Sequence, residues 1–302
     1  MNWSDFILRI FCFSLIGPGI GGNLFVFVKH VCMFVKGPEK KSIDLILTHL
    51  ALTNSMTLCT TGNVYAISAL QLQNFLGNVG CKTVFFLERV GRGLSICTTC
   101  LLSVFQAITI SPTTPTWTKL KLWITKHIVP CLLLFWICNS LISSNLLYYI
   151  TTVNNASRSG SRYTHDYCYM LPSKMVVRWI FLTLMALRDI IFQSLMGWSS
   201  GYMAFRLYKH HKHVLYLQRT RFTKISKTSP EIRATQSVLI LMSSFLFFYW
   251  ADFIFSLFIG SFFTNNSIIK KGKMLLDLSY ATLSPFILIG RGASLISCWS
   301  TH

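Results

Sequence analysis

Charged residues are scarce in this sequence, and acidic residues are the scarcest of them. Only 12% of the 302 residues are charged, with 9 Asp and Glu against 28 Lys and Arg, whereas 52% are hydrophobic. Soluble domains carry about 25% charged residues, so the composition indicates a membrane protein. At about 20 apolar residues per crossing, a chain of this length has room for seven spans and for no soluble catalytic domain.

Motifs that indicate enzymes, metal sites or transporters are also missing. The sequence has no His-Glu-x-x-His, no Gly-x-Gly-Asp and no phosphate-binding Gly-Lys-Ser/Thr loop. Its one Cys-x-x-Cys motif, at 97–100, lies within an apolar run without a second pair, which favours buried thiols over a metal site. We therefore expect no enzyme, no cofactor and no metal. A transporter is disfavoured because no internal repeat is present.

Seven apolar runs are long enough to cross a bilayer. The first run continues to Val28 without a small-x-small cleavage site, so we expect a first helix rather than a signal peptide. Small residues one turn apart, at Gly17 and Gly21, predict close helix packing. The predicted fold is all-α, a single domain over residues 1–302 formed by a bundle of seven transmembrane helices. The predicted spans are 6–28, 43–69, 81–110, 127–150, 177–205, 234–262 and 273–292.

The basic residues lie between the apolar runs and do not form one face, which argues against a nucleic-acid partner. Segments 29–41, 111–126 and 206–233 are rich in Lys and Arg, so they are predicted to be cytoplasmic. This places the N-terminus outside and the C-terminus inside. The glycosylation sequons fall on the side predicted to be outer, at Asn2, Asn155 and Asn265.

The ten cysteines differ in the compartment that the predicted topology gives them. Only Cys81 and Cys168 fall on the outer side, where the environment is oxidising. We expect a disulfide between them, which would tie the loop before the fifth helix to the start of the third helix.

Four parts of the sequence carry specific strings: HLALTN at 49–54, GRGLSICTTCLLS at 91–103, LRDIIF at 187–192 with WSSG at 198–201, and ATLSPF at 281–286. These strings resemble vomeronasal type-1 receptors, and the similarity extends over nearly the whole chain. Rhodopsin-like signatures are absent, since neither Asp-Arg-Tyr nor Asn-Pro-x-x-Tyr is present. Bitter taste receptors share this absence and are the nearest alternative.

The resemblance implies a G-protein-coupled receptor in the plasma membrane of vomeronasal sensory neurons. Such a receptor would bind small pheromone-like molecules in an outer pocket of the bundle and activate an inhibitory-class heterotrimeric G protein. One departure is Glu88, because the receptors that this chain resembles usually carry His at that position. The ligand class therefore does not follow from the resemblance.

Ionisable side chains within a span cost at least about 2.5 kcal/mol each, so we expect them to face the bundle interior. Glu88 lies two turns below Cys81 on the same helical face. We expect it to bind a polar or basic group of the ligand, the alternative being an ion pair with Arg92 one turn further.

Arg188 and Asp189 are sequence neighbours and are not expected to face each other on one helix. Each should find a partner on another helix, either to form an interhelical network or to contact the ligand. The candidate ligand-binding residues are Glu88, Arg92, Asp189, Tyr249, Asp252 and Asp277.

The predicted cytoplasmic side offers candidates for contact with the G protein. Ser111 and Pro112 stand at the inner end of the third helix, and the basic third loop follows the fifth helix. Its basic residues also favour contact with anionic lipid. The candidates are Ser111, Pro112, Arg206, Lys209, Lys212 and Arg233.

Overall fold

The protein folds into a bundle of long helices with one small sheet. The computed structural model describes residues 3–36, 41–69, 77–111, 114–152, 162–165, 168–171, 174–220, 230–262, 272, 275–276 and 278–289. The helices are α1 (Trp3–Lys36), α2 (Lys41–Ala69), α3 (Gly77–Ile110), α4 (Pro115–Ser143), α5 (Asn145–Tyr149), α6 (Met175–Thr220), α7 (Pro230–Phe262) and α8 (Leu278–Ile289). Each of them overlaps one of the seven predicted spans, and α4 and the short α5 both fall on the fourth.

The helix ends differ from the span ends where charged turns continue a helix. Helix α4 begins at Pro115 instead of near 127, and α6 continues to Thr220 instead of ending near 205. A helical backbone satisfies its own hydrogen bonds in water as well as in lipid, so apolar composition marks the span and not the whole helix. Helix α7 begins at Pro230, where a proline at the first helical position predicted its start.

The helices meet the requirements of a membrane span to different degrees. Within the described residues, three segments are long enough and apolar enough to cross a membrane: Phe13–Met33, Gly77–Ile110 and Pro115–Tyr149. Shorter apolar helices lie at Met242–Phe258 and Leu278–Ile289. Several polar residues of α2 and α7, among them Asn54 and Asp252, are buried in the bundle and lower the mean hydropathy of those helices.

Polar and apolar side chains are distributed in the opposite way to a soluble protein. Trp198 is 80% exposed and Leu141 is 65% exposed, whereas Asp189 and Asp252 are 0% exposed. In lipid this distribution is favourable, because the outer surface meets acyl chains and each buried polar group needs a partner within the protein. The fold therefore places its chemistry in the interior of the bundle.

Close helix packing occurs next to the glycines that the sequence pattern selected, but not at them. A Cβ added to Gly17 or Gly21 would meet nothing within 4 Å, so that prediction is wrong. Gly19 and Gly22 face α8 instead, and a Cβ on Gly22 would lie 2.9 Å from Pro285 Cγ. The spacing of small residues does not tell which face of a helix contacts another helix. On α1 the face that carries Gly19 and Gly22 makes the contact, and the face that carries Gly17 and Gly21 does not.

A three-stranded antiparallel sheet lies between α5 and α6, which the all-α prediction did not include. Its strands are β1 (Ile150–Thr152), β2 (Arg162–His165) and β3 (Cys168–Met170), in the order β1-β3-β2. The backbone amide of Leu171 donates to the carbonyl of Tyr149 at 2.7 Å and extends the β1–β3 pairing.

A disulfide between Cys81 and Cys168 joins the central strand β3 to the first turns of α3, as expected from the cysteine positions. The Cα atoms are 6.0 Å apart, and the two cysteines form a buried cluster with Phe85, Leu146 and Ile150. We call this end of the bundle the disulfide end and the opposite end the Ser111 end.

Removing the disulfide is expected to lower the unfolding free energy by about 2 to 4 kcal/mol, because the bridge closes a long loop. Cys81→Ser, Cys168→Ser and the double variant should be destabilised equally, since each removes the same bond. Thermal unfolding of the purified protein measures this, with Cys32→Ser, at an exposed free cysteine, as the control. A double variant much less stable than either single variant would contradict a shared bond.

Candidate functional site

Four ionised side chains meet inside the bundle, and we call them the charged layer. Arg92 comes from α3, Arg188 and Asp189 come from α6, and Asp252 comes from α7. Their side chains are between 0% and 7% exposed. Two cations face two anions, so the layer is formally neutral, as burial within a membrane requires.

Arg92 connects three helices through one guanidinium group. Its Nη2 donates to Asp189 Oδ2 at 3.3 Å and also contacts the Asp252 carboxylate. Its Nη1 donates to Ser256 Oγ at 3.3 Å. The alternative prediction, an ion pair between Arg92 and Glu88 on the same helix, does not occur. The planar guanidinium group of Arg92 contacts two carboxylates, one on α6 and one on α7, whereas Glu88 on α3 would supply only one.

Arg188 and Asp189 pair with each other, so the expectation that they would not face each other is wrong. Arg188 donates to Asp189 Oδ1 from Nε at 2.8 Å and from Nη2 at 2.6 Å. The rule on adjacent residues describes the direction of the Cβ atoms. The long arginine side chain bends back across α6, and its Nη1 donates to Asn139 Oδ1 at 2.8 Å.

Asn139 is a member of this site that sequence reasoning missed. Its Nδ2 donates to the Phe135 carbonyl at 2.8 Å, which leaves Oδ1 to accept from Arg188. The residue is 1% exposed. The sequence did carry an indication of its role, because Asn139 is an amide in the middle of the apolar run of α4. A polar side chain at that depth needs a hydrogen-bond partner within the bundle.

Two glycines flank Arg92 and give neighbouring helices access to α3. A Cβ on Gly91 would lie 2.7 Å from Thr57 Oγ1 of α2. A Cβ on Gly93 would overlap Asn139 Oδ1 and Arg188 Nη1, the two atoms of one hydrogen bond. The string around Arg92 is therefore explained by close packing on both sides of the charged residue.

A series of hydrogen bonds between neutral polar side chains lies one turn from the charged layer, toward the Ser111 end. Ser95 Oγ donates to Asn54 Oδ1 at 2.7 Å, and Asn54 Nδ2 donates to Ser284 Oγ at 3.0 Å. The Ser95 hydroxyl hydrogen is thereby used, so Tyr249 Oη donates to Ser95 Oγ at 2.9 Å. Tyr249, a candidate ligand residue, is fully buried at this level, with its hydroxyl engaged in the core.

His49 links α2, α3 and α4 near this level. Trp136 Nε1 donates to His49 Nε2 at 2.9 Å, so that nitrogen carries no hydrogen. His49 Nδ1 then donates to Thr98 Oγ1 at 2.9 Å, and Thr98 donates to the Leu94 carbonyl at 2.6 Å. A neutral imidazole is fixed in one tautomer by this arrangement.

The remaining predicted ligand residues lie outside the charged layer or outside the described residues. Glu88 is half-buried on α3 between the disulfide and the charged layer. It makes no hydrogen bond or ion pair with any residue that the structure describes. Asp277 lies outside the described residues, as do the three sequon residues Asn2, Asn155 and Asn265.

At the Ser111 end, α3 and α6 are joined by hydroxyl groups. Ser111 Oγ donates to the Ala107 carbonyl at 2.9 Å, and Tyr202 Oη donates to Ser111 Oγ at 2.9 Å. Trp117 of α4 lies against Tyr202, with ring centroids 6.1 Å apart. The start of α4 and the third and sixth helices are therefore in contact here.

The basic candidates for contact with a G protein follow on the extension of α6. Arg206 is half-buried, and Lys209 and Lys212 are exposed. Arg233 lies on α7 without a described side chain, and Pro112 lies outside the described residues. Helix α6 has 46 residues, about 70 Å, which is more than twice the thickness of the hydrocarbon core.

A cleft of about 650 Å³ lies between α6 and α7 on the outer surface of the bundle. Gln193, Trp198, Phe247 and Trp250 are among its lining residues. Trp198 and Phe247 are 80% and 67% exposed, so the cleft opens toward the lipid. None of the candidate ligand residues lines it. Within the part of the chain that is described, no group of three or more His, Cys, Asp or Glu is placed to bind a metal.

The helical bundle, the neutral buried charged layer and the disulfide-tied sheet define a receptor of the seven-transmembrane, G-protein-coupled class. Comparison with known families gives the particular family: residues 6–301 match the vomeronasal organ pheromone receptor family. The chain belongs to this family. The match decides against the bitter taste-like and transporter alternatives.

Individual relatives agree with this assignment. The chain is 34% identical over 271 residues to vomeronasal type-1 receptor 4 of Homo sapiens, covering 90% of this chain and 89% of the relative. It is 33% identical over 299 residues to receptor 40 of Mus musculus, covering 99% and 95%. It is 36% identical over 279 residues to receptor 90 of Rattus norvegicus, covering 92% and 88%. The protein is therefore a multi-pass chemosensory receptor that signals through G proteins, and not an enzyme.

Proposed function

We propose that this receptor binds a small pheromone-like molecule inside the bundle near the disulfide end. In the same proposal, the Ser111 end activates an inhibitory-class heterotrimeric G protein in the plasma membrane of vomeronasal sensory neurons. The observation that supports separate ends for ligand binding and G-protein activation is the charged layer, which lies between the two ends and joins three helices.

The orientation in the membrane follows from chemistry at the two ends. Disulfides persist in oxidising compartments, so the end that carries Cys81 and Cys168 is placed outside the cell. Exposed Lys209 and Lys212 near the other end agree with the excess of basic residues on the cytoplasmic side. The N-terminus is then outside, and the C-terminus is inside.

The charged layer is suited to transmit a change in helix positions. One guanidinium group, on Arg92, is shared between Asp189 of α6 and Asp252 of α7. A small movement of α7 relative to α6 strengthens one contact at the expense of the other. A ligand that prefers one arrangement shifts the population toward it, because binding favours the state with the better contacts.

The ligand residues take different parts in this mechanism. Glu88 is closest to the disulfide end and contacts the ligand, and Arg92, Asp189 and Asp252 form the floor beneath it. Tyr249 lies below that floor and responds to its rearrangement through Ser95. The role of Asp277 is proposed from its sequence position alone.

The Ser111 end offers a surface of suitable character for a G protein. The bond from Tyr202 to Ser111 ties α6 to α3, so a shift of α6 alters the spacing of the helix ends. The contact surface is proposed to comprise Ser111, Pro112, Arg206, Lys209, Lys212 and Arg233.

Coupling is tested in cells that express the tagged receptor with energy-transfer sensors for each class of G protein. A panel of steroids, amines and volatile acids supplies the ligands. We expect at least one compound to activate the inhibitory-class sensor first and at the lowest concentration. Gly21→Ala is the matched control and should respond like the parent receptor, because a Cβ at Gly21 meets nothing within 4 Å.

Two results would overturn the proposal. Activation only through another class of G protein would remove the inhibitory coupling. Silence toward the whole panel, despite verified delivery to the cell surface, would count against a working small-molecule receptor.

A further inference from the structure

We infer that the ligand of this receptor carries a protonated amine and that the carboxylate of Glu88 binds it. This inference rests on the proposed ligand site and names the chemical class that the site selects. It is carried by the direction of the Glu88 side chain, by its accessibility and by the partners of the cations around it.

Glu88 lies on the face of α3 that points into the bundle. It follows Phe85 by three residues and precedes Arg92 by four, and Cys81 is one further turn away on the same stripe. The side chains at these three positions are all buried, whereas Val79, on the opposite face, is 76% exposed. The Glu88 carboxylate therefore points toward the interior, not toward the lipid.

Glu88 is nevertheless accessible where its neighbours on the stripe are not. Phe85 is 8% exposed and Arg92 is 6% exposed, but Glu88 between them is only half-buried. Glu88 therefore keeps accessible surface at this level of α3, between the disulfide cluster and the charged layer. A molecule that enters from the disulfide end reaches the carboxylate of Glu88 before it reaches the charged layer.

The neighbouring cations of α3 are engaged by other partners. Arg92 is held by Asp189 and Asp252 in the charged layer. Arg89 donates from Nη1 to Asn145 Oδ1 at 3.1 Å, toward α5. Within the described residues, the Glu88 carboxylate has neither an ion pair nor a hydrogen bond, and its neighbour Arg89 acts on it only through the field of the two charges. Its oxygens are therefore open to a hydrogen bond from a cationic ligand.

The chemistry of the ligand follows from this unused acceptor. A carboxylate at membrane depth accepts charge-assisted hydrogen bonds, and a protonated amine is the small cationic donor that fits one. A neutral molecule would leave the carboxylate without a charge-assisted hydrogen bond. An anionic molecule would be repelled by it. Selectivity for amines over alcohols and acids of the same shape is therefore expected.

The test compares amines with neutral molecules of the same shape on parent and variant receptors. The probes are 2-phenylethylamine and 2-phenylethanol, followed by primary amines with larger apolar groups, each beside its alcohol. We expect an amine to activate the parent receptor while its alcohol does not. Glu88→Gln, which keeps the shape and removes the charge, should raise the half-maximal concentration of that amine about 30-fold or more.

Controls separate a ligand role from a structural one. Glu88→Asp retains the charge and should recover part of the amine response. Surface delivery should be the same in the parent and Glu88→Gln receptors, because Glu88 has no described hydrogen bond or ion pair to lose. A Glu88→Gln receptor that loses surface delivery, or that responds to the active amine unchanged, overturns the inference.

The outcomes also distinguish this inference from the proposed function. Activation by a steroid, an alcohol or an acid, with no amine active, overturns the amine site and leaves the small-molecule receptor standing. Silence toward every compound on a receptor verified at the surface counts against both. Activation by an amine through a G protein of another class supports the amine site and contradicts only the inhibitory coupling.

Discussion

Asp189→Asn is expected to destabilise the receptor by about 3 to 5 kcal/mol, because it leaves buried positive charge without balance. Asp189 accepts hydrogen bonds from both Arg92 and Arg188 and is itself 0% exposed. With its charge removed, the charged layer would hold two guanidinium groups and one carboxylate, that of Asp252. The change should appear as a lower unfolding temperature in detergent and as less receptor at the cell surface.

The double variant Arg188→Gln/Asp189→Asn is the matched test of this explanation. It removes one positive and one negative charge, so the pair of Arg92 and Asp252 remains neutral. We expect it to be more stable than Asp189→Asn alone, although it lacks more hydrogen bonds. If the two changes instead add their separate costs, charge balance is not what stabilises the layer.

Gly93→Ala is expected to cost about 3 to 5 kcal/mol, although it adds a single methyl group. The new Cβ would occupy the positions of Asn139 Oδ1 and Arg188 Nη1, which form one hydrogen bond at 2.8 Å. Separating these groups loses a hydrogen bond to a charged group, worth about 1.5 to 3 kcal/mol. Displacing packed helices costs roughly 1 to 3 kcal/mol more.

Gly201→Ala provides the control for helix propensity. Gly201 is exposed on α6, and a Cβ there would meet nothing within 4 Å. Alanine is favoured over glycine within a helix by about 1 kcal/mol, so this variant should be as stable as the parent receptor or slightly more stable. Equal unfolding temperatures for Gly93→Ala and Gly201→Ala would contradict the close approach at Gly93.

Sequence reasoning recovered the membrane class and the elements that depend on composition. Apolar length predicted where the long helices lie, and the start of α7 at Pro230 followed from the local preference of proline. The cysteine positions were enough to pair Cys81 with Cys168, since the other cysteines fell within spans or on the inner side. Each of these features depends on the chemistry of a short stretch of sequence, so it can be predicted without knowing how the helices pack.

The prediction was weaker where a side chain had alternatives. Arg92 had a carboxylate four residues away on its own helix, at Glu88, but it binds Asp189 and Asp252 on other helices. Arg188 was expected to leave its neighbour, but it pairs with Asp189 because Asn139 draws it across α6. Long side chains reach several partners, and only the positions of the neighbouring helices select among them.

The sequence by itself determined that this chain forms helices in a membrane, which side chains must avoid lipid and which family it resembles. These depend on hydropathy, charge and local motifs, which each segment carries independently. Only the tertiary structure decided that Gly93 packs against Asn139 and Arg188, that Asn139 accepts a hydrogen bond from the charged layer and that Glu88 is left without a described hydrogen bond or ion pair. The reason is that buried ionisable groups compete for the same few partners. Which pairs form depends on how the helices pack, because a group that is already paired is no longer available to the others.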